Sequence, residues 1–113
     1  MKILLDECVD WRLSRDLQEH EVKTARQMGW ATVKMGWATV KNGELLALAS
    51  ETFDVFVTVD RKLPSQQNLN ALAIAVVVLR ARTNRLADLR PLVPDLLAVL
   101  PHAKRGEATV VGP

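Results

Sequence analysis

Three short apolar runs constrain what this chain can fold into: Ile3-Leu4-Leu5, Phe53 to Val59 and Ala73 to Leu79. Each has strand length, and none shows the strict alternation of a strand with one wet face. Runs of this kind belong inside a parallel sheet that is covered on both sides. Two of the three stop on acid. Ile3-Leu4-Leu5 is followed by Asp6-Glu7-Cys8, and Val55-Phe56-Val57-Thr58-Val59 by Asp60-Arg61.

The segments between these runs read as helices and weaker strands. Val9 to Leu17 carries Val9, Trp11, Leu13 and Leu17 at loose helical spacing, with Arg12, Arg15 and Asp16 on the wet side. His20 to Ala25 is a weak strand signal. Asn42-Gly43-Glu44 opens a helix, with Asn42 as N-cap and Leu45, Leu46, Leu48 and Ala49 facing inward. Leu63 to Asn68 is a polar loop or short helical turn. Thr83 or Asn84 caps a helix running to Leu100, which Pro91 and Pro94 must kink or divide because neither has a donor N–H. Glu107 to Val111 is a last strand. Strands that alternate with helices predict an α/β fold: a three-layer α/β/α sandwich with a mostly parallel sheet of four to five strands. Right-handed crossovers then point consecutive strands the same way. Open sheets of this type bind ligands at the carboxyl ends of their strands. Topology alone therefore carries Asp6 and Asp60 to one ligand-binding rim.

Met28 to Lys34 (Met-Gly-Trp-Ala-Thr-Val-Lys) is repeated without change as Met35 to Lys41. Two copies are too few for a solenoid. A helical insert of this length keeps side-chain phase and adds roughly 10 Å, while doubling a loop costs only about 0.6 kcal/mol. Each copy adds a Met, a Trp and a Val that favour burial, and a single core has no evident place for both sets. Exposed apolar surface recruits partner chains, and an altered connection promotes domain swapping. The expectation is a homodimer built on residues 28–41, swapped through that segment, with a surface loop as the alternative.

With 113 residues the chain suits one domain, spanning 1–113, with a core of its own. The longest apolar run, Ala71 to Leu79, falls far short of the roughly 20 residues of a membrane span. The opening has no signal-peptide pattern, and Cys8 is the sole cysteine, which removes internal disulfides. The expectation is a cytoplasmic protein with no membrane association. A net charge of +2 permits a nucleic-acid partner without arguing for one.

Crowded carboxylates repel each other, and a hard divalent cation relieves them. Mg²⁺ takes one or two carboxylates plus water and substrate phosphate, and Mn²⁺ suits the same oxygens. Asp6 and Asp60 are the leading candidate ligands and catalytic residues. Glu44, in the first turn of its helix, is the third. An aspartate after a strand also serves as a turn former or helix cap, and Glu44 also suits the helix dipole. Arg61 follows Asp60, and Arg80, Arg82 and Arg85 follow the strongest strand. Guanidinium groups fit phosphate bidentately. Gln67 and Asn68 are candidates for contact with sugar or base edges.

These residues together resemble a known family. Lys2 to Cys8, Met35-Gly36-Trp37, Lys41 to Leu46, Val57 to Leu63 with Gln66 to Leu69, and Ala75 to Leu79 resemble the small bacterial PIN-like proteins of unassigned function, relatives of VapC-type toxin nucleases. The resemblance runs over essentially the whole chain. It implies a PIN-like three-layer fold, a Mg²⁺- or Mn²⁺-dependent ribonuclease site on Asp6 and Asp60, RNA as substrate, and a small antitoxin protein as partner. Glu44 is the acid available where many relatives carry one at the start of the middle helix. The fourth acid of full PIN nucleases has no match, and the single Met-Gly-Trp-Ala-Thr-Val-Lys of the pattern is doubled here.

Two other readings compete. A catalytically inactive PIN-like binding module accounts for the missing acid. A receiver-like phospho-acceptor domain shares the acids after strands one and three, but it expects a lysine at the end of the last strand, which Ala108 to Pro113 lacks.

Overall fold

The structure is a computed structural model that describes residues 1–29, 42–66 and 68–112, apart from the side chains of residues 42–44 and 66. Among the described residues, five strands form one all-parallel sheet: β1 (Lys2–Leu5), β2 (Glu21–Thr24), β3 (Val55–Thr58), β4 (Ala75–Leu79) and β5 (Ala108–Val111), in the order β2-β1-β3-β4-β5. Among the described residues, four α-helical pieces accompany them: α1 (Asn42–Ser50), α2 (Leu63–Gln66), α3 (Leu86–Leu89) and α4 (Val93–Val99). This is the α/β class expected from the apolar runs, and it is compatible with a three-layer sandwich.

The strand side chains divide by parity, as pleating requires. Ile3, Leu5, Val55, Val57, Ala75, Val77 and Leu79 meet Leu13, Leu17, Leu89, Val93 and Leu96 on one face. Leu4, Phe56, Val76 and Val78 meet Leu45, Leu46, Ala49 and Leu63 on the other. Both faces of the three middle strands are dry, which is why their sequence shows apolar runs without alternation. The β2 edge strand is wetter, with none of its four residues buried, and this accounts for its faint signal.

One element departs from expectation. Val9 to Leu17 forms a 3-10 helix over Trp11–Leu17. Leu13 N bonds to Asp10 O at 3.0 Å, tightening the first turn, and Asp10 also accepts from Arg12 N. Leu13 and Leu17 are buried, whereas Trp11 is 56% exposed and does not share their apolar face. The Leu86–Leu100 stretch is divided, one of the two outcomes expected of its prolines. Tight turns at Arg90–Leu92 and Leu100–His102 flank α4, and a proline stands in the first or second position of each. Arg85 caps α3, and Thr83 supports it by accepting from Arg85 N and bonding Asp88.

The crossovers do not all share one hand. The β1–β2 and β4–β5 connections pack on the same face yet step in opposite directions along the sheet. One of them is therefore an exception to the right-handed rule. The parallel order survives because β5 still pairs with β4 from Val76↔Ala108 to Leu79↔Val111. Gly112 lets the chain leave β5 against Arg80. Its φ is +118°, and a Cβ there would sit 2.2 Å from the Arg80 carbonyl oxygen.

Candidate functional site

After β1 the chain turns to the face of the 3-10 helix, and after β3 to the opposite face that holds α2. The carboxyl ends of these neighbouring strands thus form a switch point, the usual ligand crevice of an open α/β sheet. Asp6 and Asp60 both stand there. Asp6 N extends the ladder by bonding to Val57 O at 2.9 Å, which fixes where its side chain begins.

Asp6 is 9% exposed, and three donors serve its carboxylate. Glu7 N donates to Oδ1 at 2.8 Å, Thr58 Oγ1 to Oδ2 at 2.7 Å, and Cys8 Sγ to Oδ2 at 3.3 Å. Thr58 is fully buried, and its hydroxyl also accepts from Asp60 N at 3.0 Å. One hydroxyl therefore spans the two aspartates, holding the side chain of one and the backbone of the other. Asp60 uses Oδ1 to accept from Lys62 N at 2.9 Å, a turn-forming role that leaves Oδ2 outside that bond. Sequence reading gave Thr58 no part in the site. The signal was there: it is the single polar residue in Val55 to Val59, and a polar residue in a dry strand needs a partner.

Cys8 completes the knot as a neutral group. Burial, reinforced by the Asp6 carboxylate, pushes its thiol from 9.0 up to about 11. It is a hydrogen-bond donor at neutral pH, and nucleophilic chemistry requires the thiolate.

The expected arginines fall on two sides of this knot. Arg61 donates to Ala81 O at 3.1 Å and, with Arg80, Pro64, Val78 and Val110, lines a small cavity of about 230 Å³. Arg82 is exposed in the same β4–α3 loop. A larger cavity of about 810 Å³ opens at the carboxyl ends of β1 and β2, with Glu7, Cys8, Asp10, Trp11, Arg26 and Arg85 in its wall. Neither Asp6 nor Asp60 lines it, so this hollow lies beside the paired acids. Of the residues in its wall, the sequence marked Arg85 as a candidate phosphate contact, whereas Trp11 was read only as part of an apolar helix face. Asn68 is exposed just before a tight turn at Leu69–Ala71. That turn backs onto Gly106, which leads into β5 at the opposite edge of the sheet, so Asn68 stands away from the acids. Gln67, the side chain of Glu44 and residues 30–41 of the duplication lie outside the described residues.

Two carboxylates at a strand-end crevice suit the oxygen preference of Mg²⁺ or Mn²⁺, which binds through one or two such groups plus water and phosphate. Asp6 and Asp60 are the residues able to hold it. Among the described residues no group of three or more His, Cys, Asp or Glu forms a metal cluster. Also among the described residues, no helix is long and apolar enough to cross a membrane. Comparison with protein-family models, curated proteins and solved structures finds no match to this chain.

Proposed function

We propose that this chain is a PIN-like metal-dependent ribonuclease of the toxin–antitoxin kind, hydrolysing RNA phosphodiesters at Asp6 and Asp60. The observation that supports it is the pairing of these aspartates at the switch point through the Thr58 hydroxyl. Bound Mg²⁺ or Mn²⁺ would supply charge to polarise the phosphodiester and to activate water. Asp6 and Asp60 hold the cation, with Glu44 as the third acid. Thr58 orients both aspartates. Arg61, Arg80 and Arg82 offset phosphate charge beyond the strand ends. The antitoxin partner rests on the resemblance alone, and a dimer through residues 28–41 rests on the repeat alone.

RNA cleavage with Mn²⁺, comparing wild type with Asp6→Asn and Asp60→Asn, tests this. Each variant should lose more than the roughly 10–100-fold seen when only a ligand's supporting shell is disturbed. Equal cleavage by all three proteins rejects the site. One observation favours the second reading, an inactive PIN-like binding module: protein donors already satisfy the Asp6 carboxylate. Calorimetric Mn²⁺ titration separates the two readings, since the module gives no heat and no change on Asp6→Asn.

A further inference from the structure

We propose that the cleft walled by Trp11, Arg26 and Arg85 binds one nucleotide, its base stacked on the Trp11 indole and its phosphate held by the two guanidinium groups. This rests on the ribonuclease reading only for the identity of the strand, since binding in the cleft needs no metal. The volume of about 810 Å³ lies within the roughly 300–1,000 Å³ of small-ligand sites. The cleft also sits at the carboxyl ends of β1 and β2, where open α/β sheets take ligands.

The wall chemistry selects the ligand. Trp11 is 56% exposed and lines the cavity, so its indole is open to a ligand. Arg15 stacks on one face of its ring, 5.0 Å from the centroid. A base stacked on the other face adds about 1–3 kcal/mol whatever its identity. Arg26 and Arg85 are exposed, and among the described residues neither guanidinium has a hydrogen-bond or ion-pair partner. Of the two wall acids, Asp10 is neutralised by Arg12 at 2.7 Å, and Glu7 is not without a partner. The net demand is for an anion joined to a flat ring. Asn84 and Ser14, also in the wall, offer hydrogen bonds to sugar or base.

The test is fluorescence anisotropy of a dye-labelled short oligouridylate with the whole chain in EDTA, so that no cleavage intervenes. Trp11→Ala should weaken binding roughly 5- to 150-fold, and Trp11→Phe should recover most of it. Arg85→Ala should flatten the salt dependence by about 0.7 for each phosphate that Arg85 neutralises. Trp11 is more than half exposed, so the variant is expected to fold, and circular dichroism checks that. Competition with UMP and AMP identifies the source: equal potency marks a free-nucleotide pocket, weaker potency a strand subsite, and both outcomes support the cleft. Wild-type affinity in Trp11→Ala and Arg85→Ala, or no binding of any nucleotide, overturns it. If cleavage depends on Asp6 and Asp60 while Trp11→Ala binds normally, only this inference fails. If the cleft binds but both aspartate variants cleave like wild type, only the ribonuclease reading fails.

Discussion

Asp6 and Asp10 stand on the same turn of chain, yet their carboxylates live under different physics. Asp6 is buried and receives donors from backbone, hydroxyl and thiol. Asp10 sits at a cleft wall and is clasped by Arg12 through Nε at 3.0 Å and Nη2 at 2.7 Å, with Arg12 N donating as well. The first environment is fixed by strand pairing and cannot change without cost to the fold. The second is local, wet and replaceable. A site built from both has an orienting part that resists mutation and a binding part open to it.

The sharpest way to break this contrast is through Cys8, which belongs to the buried knot although it also borders the cleft. Its thiol is held near 11 rather than 9.0 by burial and by Asp6. In EDTA at pH 7, reaction with a disulfide reagent should run roughly 100-fold slower than for an ordinary cysteine, in proportion to the thiolate present. The linked stability follows the same sign. Below about pH 9 both folded and unfolded chains keep the proton. Between about 9 and 11 only the unfolded chain releases it, so stability falls across that window. Fast labelling at pH 7 would mean that Cys8 belongs to the wet region.

Thr58 gives the next largest effect. Thr58→Val keeps the shape but removes a hydroxyl that donates to Asp6 and accepts from Asp60 N. The buried Asp6 carboxylate and the half-buried Asp60 N–H then each lose a partner, at a cost of about 2 kcal/mol within the usual 1–3 kcal/mol range. Thr58→Ser keeps the hydroxyl and should recover most of that loss. Denaturant melts of both variants decide it. Equal destabilisation would mean that the methyl, rather than the hydrogen bonds, holds the knot together.

The same contrast explains what was legible in the sequence. Ile3 to Leu5, Val55 to Val59 and Ala75 to Leu79 announced a parallel sheet because burial on both faces erases alternation. Once the sheet was granted, Asp6 and Asp60 followed by topology. The exposure of Trp11 was not legible, because the loose apolar spacing of Val9, Trp11, Leu13 and Leu17 does not say which of them meets the sheet. Nor was the side chosen by the β4–β5 crossover, which the apolar pattern of Leu86 to Leu100 satisfies on either face. Thr58 was hidden in plain view: one polar residue in a dry strand signals a bond but not its partner. The cleft is made by β2, the 3-10 helix and the α3 loop meeting in space, and no single stretch of sequence encodes it.

Asp10→Asn gives the smallest effect and sharpens the comparison most. Asparagine caps a helical turn nearly as well as aspartate, so the substitution isolates the charge on the Arg12 clasp. The clasp lowers the Asp10 carboxyl from 3.8 to about 2, first through the Arg12 side-chain bonds and then through its backbone N–H. A depressed acid contributes stability above its unfolded value and loses it as the pH falls from about 4 towards 2. At pH 7 the pair is solvated and screened, and pairs of that kind add little. The melting midpoint of Asp10→Asn should therefore match wild type within scatter at neutral pH. A small deficit should show in low salt and vanish in 1 M salt, whereas the Thr58→Val deficit should persist in both. If salt instead erased the Thr58→Val loss, or Asp10→Asn cost as much as Thr58→Val, the two regions would be one electrostatic unit, and the division between orienting knot and binding cleft would have no physical basis.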